Sequence, residues 1–125
     1  MSVDFIRSLC LSLPHVTEEI QWEDHLLFKI GGKMFAITTL GPVGMRLSLK
    51  TTPEKFAELT EIPGVVPAPY MARNSWIALE RWDALRRSEI ETLVRESYAL
   101  IFAKLTKKKQ SEISQPPLKK KLAKK

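Results

Sequence analysis

Histidine and cysteine, the usual ligands of zinc, are few in this sequence, and their spacing does not suit a zinc site. The chain has two histidines, His15 and His25, and a single cysteine, Cys10. Zinc sites usually bring paired ligands, such as Cys-x-x-Cys or two histidines one helical turn apart, and the sequence has neither pair. Cys10 falls on the apolar side of a predicted helix, where a thiol packs as a small hydrophobe. We therefore expect no metal and no cofactor.

Residues that could catalyse a reaction are present, but their arrangement does not favour an enzyme. Carboxylates that could act as a general acid and base, or hold Mg²⁺, occur at Glu18, Glu19, Glu23 and Asp24. Alternation along a predicted strand divides them between its two faces, which is typical of a solvated strand. Ser97 lies in the apolar stripe of a predicted helix, and no histidine follows His25 to complete a hydrolase triad. We expect no catalytic residues.

Basic side chains in the first part of the chain suggest contacts with phosphate. Lys29 and Lys33 flank a Gly31-Gly32 turn, which lacks the following helix and lysine of a P-loop. Arg46 and Lys50 share the polar face of a later strand. A hairpin with a basic tip can act as a wing in a groove of nucleic acid, where cations contact phosphates. A solubilising polar face explains the same residues equally well.

The net charge is concentrated in the last residues of the chain. The 125 residues carry a formal charge of +6, and residues 107–125 hold eight of the 20 basic residues and one of the 14 acidic ones. Residues 107–125 therefore carry +7 and residues 1–106 carry −1. This composition predicts a disordered lysine-rich tail over 107–125, after a single domain over 1–106. The tail lysines expected to contact phosphate are Lys107, Lys108, Lys109, Lys119, Lys120 and Lys121.

Composition also predicts the cellular compartment of the protein. Hydrophobic residues make up 44% of the chain and charged residues 27%, as in soluble globular domains. The sequence shows neither a signal peptide nor an apolar run approaching the roughly 20 residues of a membrane span. A lone cysteine suits a reducing compartment. We expect a cytoplasmic monomer without membrane contacts.

The elements that position these residues follow from periodicity and turn signals. Period-two alternation predicts four consecutive strands within residues 18–50, with a hairpin turn at Gly31-Gly32. Their connections are too short for crossovers, so the sheet should be antiparallel. Helices are predicted over residues 4–13, 51–59 and 88–106, a proline-rich loop over 62–70 and a fifth strand over 75–79. The predicted fold is α+β with the order α-β-β-β-β-α-β-α, and Ser88 is the predicted cap of the last helix.

Several stretches together resemble the MmcQ/YjbR family of small bacterial proteins over about residues 3–106. They are Cys10 with Pro14, Trp22, Lys33-Met-Phe-Ala36, Leu49-Lys-Thr-Thr-Pro-Glu54, Ala68-Pro-Tyr70 with Arg73 and Trp76, and Ser97-Tyr98. Their order and spacing carry the resemblance. The chain has His15 where many members have glycine after the proline.

The resemblance implies a fold and a partner. The implied fold is an antiparallel sheet packed against helices on one side, similar to frataxin-like and secretion-chaperone-like domains, with a double wing associated with DNA binding. The implied DNA contacts are Lys29, Lys33, Arg46, Lys50, Arg73 and Trp76. On residues alone, the tryptophans Trp22, Trp76 and Trp82 are expected in the core or at its rim. The lysine tail lies outside the family pattern.

Two other classes of function stay open at this level. A protein-interaction or chaperone-like module could use the apolar side of its sheet or the loop at 62–70. A small-molecule site could be roofed by Tyr70, Arg73 and Trp76 and floored by Lys50 and Ser97, provided that these polar groups converge on one cavity.

Overall fold

The architecture is α+β, as predicted, with helices on one side of a single antiparallel sheet. The computed structural model describes residues 2–22, 24–69 and 71–114. The strands are β1 (Val16–Gln21), β2 (His25–Ile30), β3 (Lys33–Thr39), β4 (Leu47–Lys50), β5 (Val65–Pro67) and β6 (Trp76–Leu79), and their order in the sheet is β1-β2-β3-β4-β6-β5. The helices are α1 (Val3–Leu11), α2 (Pro53–Leu59), α3 (Arg87–Ala103) and α4 (Lys107–Ser114), with two 3₁₀ turns at Ala72–Asn74 and Trp82–Ala84. In these parts of the chain no helix could cross a membrane.

The helices bury one face of the sheet, which we call the helix face. Helix α3 contacts β2, β3 and β4, while α1 contacts β1 and β3, and α2 contacts β5 and β6. The side chains between the layers include Phe28, Phe35, Leu47 and Ile77, all of them fully buried. The predicted hairpin at Gly31-Gly32 joins paired antiparallel strands, and Phe28 and Phe35 lie in the core as predicted.

A β-bulge in β3 makes both faces of this central strand apolar. Phe28 pairs with Ala36 and Lys29 pairs with Met34, so Phe35 is an extra residue in β3. Phe35 reaches the helix face, where its ring packs edge-to-face on Tyr98 of α3 at 5.4 Å. Because the bulge shifts the alternation by one residue, Met34 and Ile37 both lie on the opposite face, which we call the outer face.

One strand was missed because prolines dominate its sequence. Residues 62–70 were predicted to form only an extended loop, and this was wrong, because Val65–Pro67 forms β5 and pairs with β6. A strand at a sheet edge bonds to a single neighbour, so proline costs it little. Val65 is buried, which shows that the sheet continues to this edge.

The start of α3 also differs from the prediction. Ser88 does not cap the helix, since Arg87 is already helical and Arg86 is the N-cap residue. The Oε1 atom of Glu89 accepts a hydrogen bond from the Arg86 backbone N–H at 3.0 Å. The capping carboxylate is therefore that of Glu89. Leu85 is buried just before the cap, so tertiary packing fixes where the helix begins.

Replacing Glu89 by alanine should therefore lower the free energy of unfolding by about 0.5–1 kcal/mol, because an N–H of the helix start loses its carboxylate partner. Ser88→Ala is the matched control, since Ser88 is exposed and lies inside the first turn. Urea denaturation of both variants measures the difference. A larger loss for Ser88→Ala would contradict this cap.

The described part of the predicted disordered tail is helical. Residues 107–114 form α4, so the prediction of disorder from 107 onward is wrong for this stretch. Thr106 Oγ1 accepts a hydrogen bond from Lys109 N at 3.1 Å, and Gln110 Nε2 donates to the carbonyl of Phe102 in α3 and to that of Leu105 in the α3–α4 junction. The high charge of this stretch suggested disorder, but charge does not reveal the local hydrogen bonds that stabilise a helix here. Residues 115–125, with Lys119, Lys120 and Lys121, lie outside the described residues.

Candidate nucleic-acid interface

Basic residues from separate segments meet at one end of the sheet. This end, which we call the basic end, comprises the β2–β3 turn, the end of β4, the 3₁₀ turn at Ala72–Asn74 and the α3–α4 junction. Its cations are Lys33, Lys50, Arg73, Lys104, Lys107, Lys108 and Lys109. All except the half-buried Lys50 are exposed. The sequence predicted six of these seven residues as phosphate contacts.

Lys50 links three of these segments. Its Nζ donates a hydrogen bond to the Asn74 carbonyl at 2.7 Å, next to Arg73. Partial burial, and after it the positive charge of Lys104, lower the pKa of Lys50. The ammonium groups of Lys50 and Lys104 are thus close enough to repel each other. An anion bound between them would relieve this repulsion.

Helix α4 brings its lysines to the hairpin turn. A Cβ on Gly31 would lie 2.7 Å from Leu105 Cδ1 and 3.2 Å from Lys109 Cγ, so the turn packs against the α3–α4 junction. Lys107, Lys108 and Lys109 occupy the first turn of α4, which has no acidic residue. The positive end of the helix dipole adds to their charge, and this costs helix stability while no anion is bound.

Lys29, another predicted phosphate contact, forms an ion pair with Glu19. Its Nζ lies 3.0 Å from Glu19 Oε1 on the outer face. Hydrogen bonds from Lys29 and then Gln21 hold the pKa of Glu19 below its usual value. Lys29 therefore contributes less free charge to the basic end than its position in the hairpin suggested.

Arg46 and Trp76 do not join the basic end. Arg46 precedes β4 at the opposite end of the sheet, where its guanidinium donates to the Gly44 carbonyl at 3.0 and 3.2 Å. Trp76 is 5% exposed, so its indole lies in the core and offers no surface for a base. This agrees with the expectation of a core tryptophan and not with the contact that the family resemblance implied.

The described residues of the predicted small-molecule site around Ser97 lie in different surroundings. Ser97 is fully buried between α3 and the sheet, where its hydroxyl donates to the Phe35 carbonyl at 2.6 Å and accepts from Lys50 N at 3.0 Å. Arg73 is exposed at the surface. Tyr70 lies outside the described residues. The buried hydroxyl of Ser97 is therefore not open to a ligand as the predicted floor of this pocket.

The acidic residues near β1 are divided among separate partners. Glu18 binds Arg7 at 2.6 Å, and Asp24 lies 2.8 Å from His25 Nδ1, while Glu23 is outside the described residues. Within residues 2–22, 24–69 and 71–114, no group of three His, Cys, Asp or Glu side chains could hold a metal ion. Cys10 is fully buried, as predicted, and burial raises the pKa of its thiol to about 12.

Sequence reasoning missed Lys104 as part of the basic end. Lys104 lies within the helix predicted over 88–106 and was not among the predicted phosphate contacts, although the lysine-rich stretch begins three residues later. The length of α3 could have predicted this position, because a helix of 17 residues ends next to the β2–β3 turn.

Comparison with known proteins identifies a family, a relative in sequence and solved structures with a similar fold. A family model described as YjbR matches residues 11–100. The chain is 27% identical over 111 residues to the uncharacterized protein YbdF of Escherichia coli O157:H7, covering 86% of this chain and 89% of YbdF. The crystal structure of Deinococcus radiodurans protein DR2400, a DUF419 domain, is similar with a TM-score of 0.82 and 31% identity, covering 92% of this chain and 89% of that one. A Pseudomonas syringae protein, target PsR293, shares the fold alone, with a TM-score of 0.66 and 23% identity, covering 80% of this chain and 98% of that one.

Proposed function

The chain belongs to the YjbR family, and on this premise we propose that it is a non-enzymatic protein that binds duplex DNA through its basic end and its C-terminal lysines. The binding has little sequence specificity, because phosphate contacts fix position without reading bases. The protein acts as a cytoplasmic monomer in this proposal.

The convergence of cations at the basic end is the observation that supports DNA binding. Lys33, Lys50, Arg73 and the lysines of the α3–α4 junction come from separate segments of the chain, yet they meet at one end of the sheet. Partial burial, and after it the positive charge of Lys104, lower the pKa of Lys50, so keeping this group charged at the basic end costs the free protein stability. Phosphates would offset that cost, and the release of their counterions would drive association.

The position of the acidic residues supports the same surface. Residues 1–106 carry a formal −1, and α4 adds three lysines and Glu112, so residues 1–114 carry only +1 and their net charge gives the domain little attraction for DNA. Glu18 and Glu19, which would repel phosphate, are held in ion pairs with Arg7 and Lys29. The domain would therefore approach DNA by one end, and its orientation would depend on where the charges lie rather than on their sum.

Replacing three exposed lysines of the basic end should weaken DNA binding and reduce its salt dependence. The variant Lys33→Gln/Lys104→Gln/Lys108→Gln removes three charges. If about two of them contact phosphates, the slope of log affinity against log salt becomes shallower by about 2, with at least a tenfold loss at 50 mM salt. Fluorescence anisotropy with a labelled duplex in the full chain measures both quantities.

The matched control is Arg46→Gln/Arg81→Gln/Arg86→Gln, which removes the same charge from the opposite end of the molecule. For this variant, the slope of log affinity against log salt should equal that of the unmodified chain. Equal losses for the two variants would mean that only net charge matters, and the basic end would then have no special role.

A further inference from the structure

The outer face of the sheet holds a cavity of about 470 Å³. Residues of β3 and β4, including Ile37 and Ser48, line it together with Trp22 on one side and Met71 on the other. Ligand pockets in proteins typically have volumes of about 300–1,000 Å³. This cavity therefore has the size of a small-molecule site, and it does not coincide with the basic end.

Methionines are concentrated in this cavity. The chain has four, Met1 and three others, and those three, Met34, Met45 and Met71, all line the cavity. Each of the three is only partly buried. Thioethers are flexible and polarisable, and their sulfur atoms make favourable contacts with aromatic rings. We call this site the methionine cavity.

The side chain of Trp22 is exposed and its backbone is strained, and neither property stabilises the fold. Its side chain is 63% exposed, and its backbone has φ of 52°, in the left-handed region that a bulky residue rarely adopts. Its ring packs edge-to-face on His25 at 5.6 Å, at the border of the cavity. A strained backbone that presents an exposed indole to a cavity is typical of a residue that contacts a ligand.

The polar groups of the methionine cavity are few and nearly all neutral. His25 is the one ionisable side chain among its described lining residues. The Nδ1 atom of His25 lies 2.8 Å from Asp24 Oδ1, although the two atoms do not form a hydrogen bond. The other polar side chains are the hydroxyls of Thr39 and Ser48. Apart from the His25–Asp24 pair at its border, the cavity offers an ionic ligand no charged side chain among the described lining residues, whereas a ligand with a hydroxyl or carbonyl would find donors and acceptors.

We propose that the methionine cavity binds an uncharged, planar aromatic small molecule. Its ring would pack against the three thioethers and Trp22, with a polar substituent toward Ser48, Thr39 or His25. The apolar lining with its three methionines and the exposed indole of Trp22 favour a flat ring over an aliphatic chain. This site is independent of DNA binding.

A titration of the full chain with 2-naphthol tests the site. In protein labelled with ¹³C-methyl methionine, the ring current should shift the Met34, Met45 and Met71 signals. Cyclohexanol, which has a hydroxyl but no aromatic ring, should bind at least tenfold more weakly. Trp22→Ala should weaken 2-naphthol binding at least tenfold.

The control variant is Val43→Ala, since Val43 is 81% exposed and does not line the cavity. It should bind 2-naphthol like the unmodified chain, and the dispersion of the methyl spectrum reports whether each variant is folded. Three results would overturn the proposal: no methyl shifts at millimolar 2-naphthol, unchanged affinity in a folded Trp22→Ala variant, or equal affinity for cyclohexanol.

Discussion

Stopping the chain at Ser114 should remove most of its affinity for duplex DNA. The full chain should show a slope of about −5 for log affinity against log salt, which is roughly a thousandfold loss between 50 and 200 mM. The truncation deletes five lysines, three of them consecutive, and keeps α4. If about three of the five deleted lysines contact phosphates, the slope should become shallower, from about −5 to about −2. Binding at 50 mM salt should be about a hundredfold weaker.

The site of truncation matters because α4 is part of the folded domain. A stop at Thr106 would delete Gln110, whose amide donates to three carbonyls at the end of α3. That chain would lose stability together with charge, and the two effects could not be separated. The thermal midpoint of the chain ending at Ser114 should match that of the full chain. If this truncated chain does not bind DNA at low salt, the basic end is not a DNA-binding surface and the lysine tail acts alone as a nonspecific arm.

Ser97→Ala should lower the free energy of unfolding by about 2–4 kcal/mol. The fully buried Ser97 hydroxyl donates to the carbonyl of the bulged residue Phe35 and accepts from the backbone N–H of Lys50. It therefore joins α3 to two neighbouring strands. Alanine would leave both backbone groups without this partner, and each unsatisfied buried group costs about 1–3 kcal/mol.

Ser12→Ala is the control for Ser97→Ala. Its hydroxyl also donates to a backbone carbonyl at 2.6 Å, that of Leu9, but Ser12 is exposed. Water can replace that bond, so the change should cost less than about 1 kcal/mol. Urea denaturation of both variants gives the comparison. Similar small losses at the two positions would show that the Ser97 contacts contribute little to stability.

The parts of the fold that follow local rules were predictable from sequence. Gly31-Gly32 between two alternating stretches determined the hairpin, and Cys10 on the apolar side of its helix was buried as expected. The bulge at Phe35 was not predictable, because alternation alone does not show where a strand gains a residue. The cap of α3 was missed because burial of Leu85, a tertiary contact, decides where the helix starts.

The candidate site was predicted only in part, for a related reason. Lys33, Lys50 and Arg73 were identified by residue type, but their proximity to Lys104 depends on the path of α3. Arg46 shares a strand face with Lys50 in the predicted alternation, yet it lies at the other end of the sheet. The methionine cavity could not be predicted, since Met34, Met45 and Met71 are far apart in sequence and no local spacing relates them.

The strand order has a consequence for self-association. An open sheet leaves two edge strands whose free backbone groups can pair with another molecule, a route to aggregation. Here one edge is β1, which carries Glu18 and Glu19, and the other is β5, a strand of three residues that ends in Pro67. Charge on one edge, and short length with proline on the other, both discourage such pairing. In the DNA complex that we propose, molecules crowded side by side along a duplex would therefore resist merging their sheets, so high local occupancy need not lead to fibre formation.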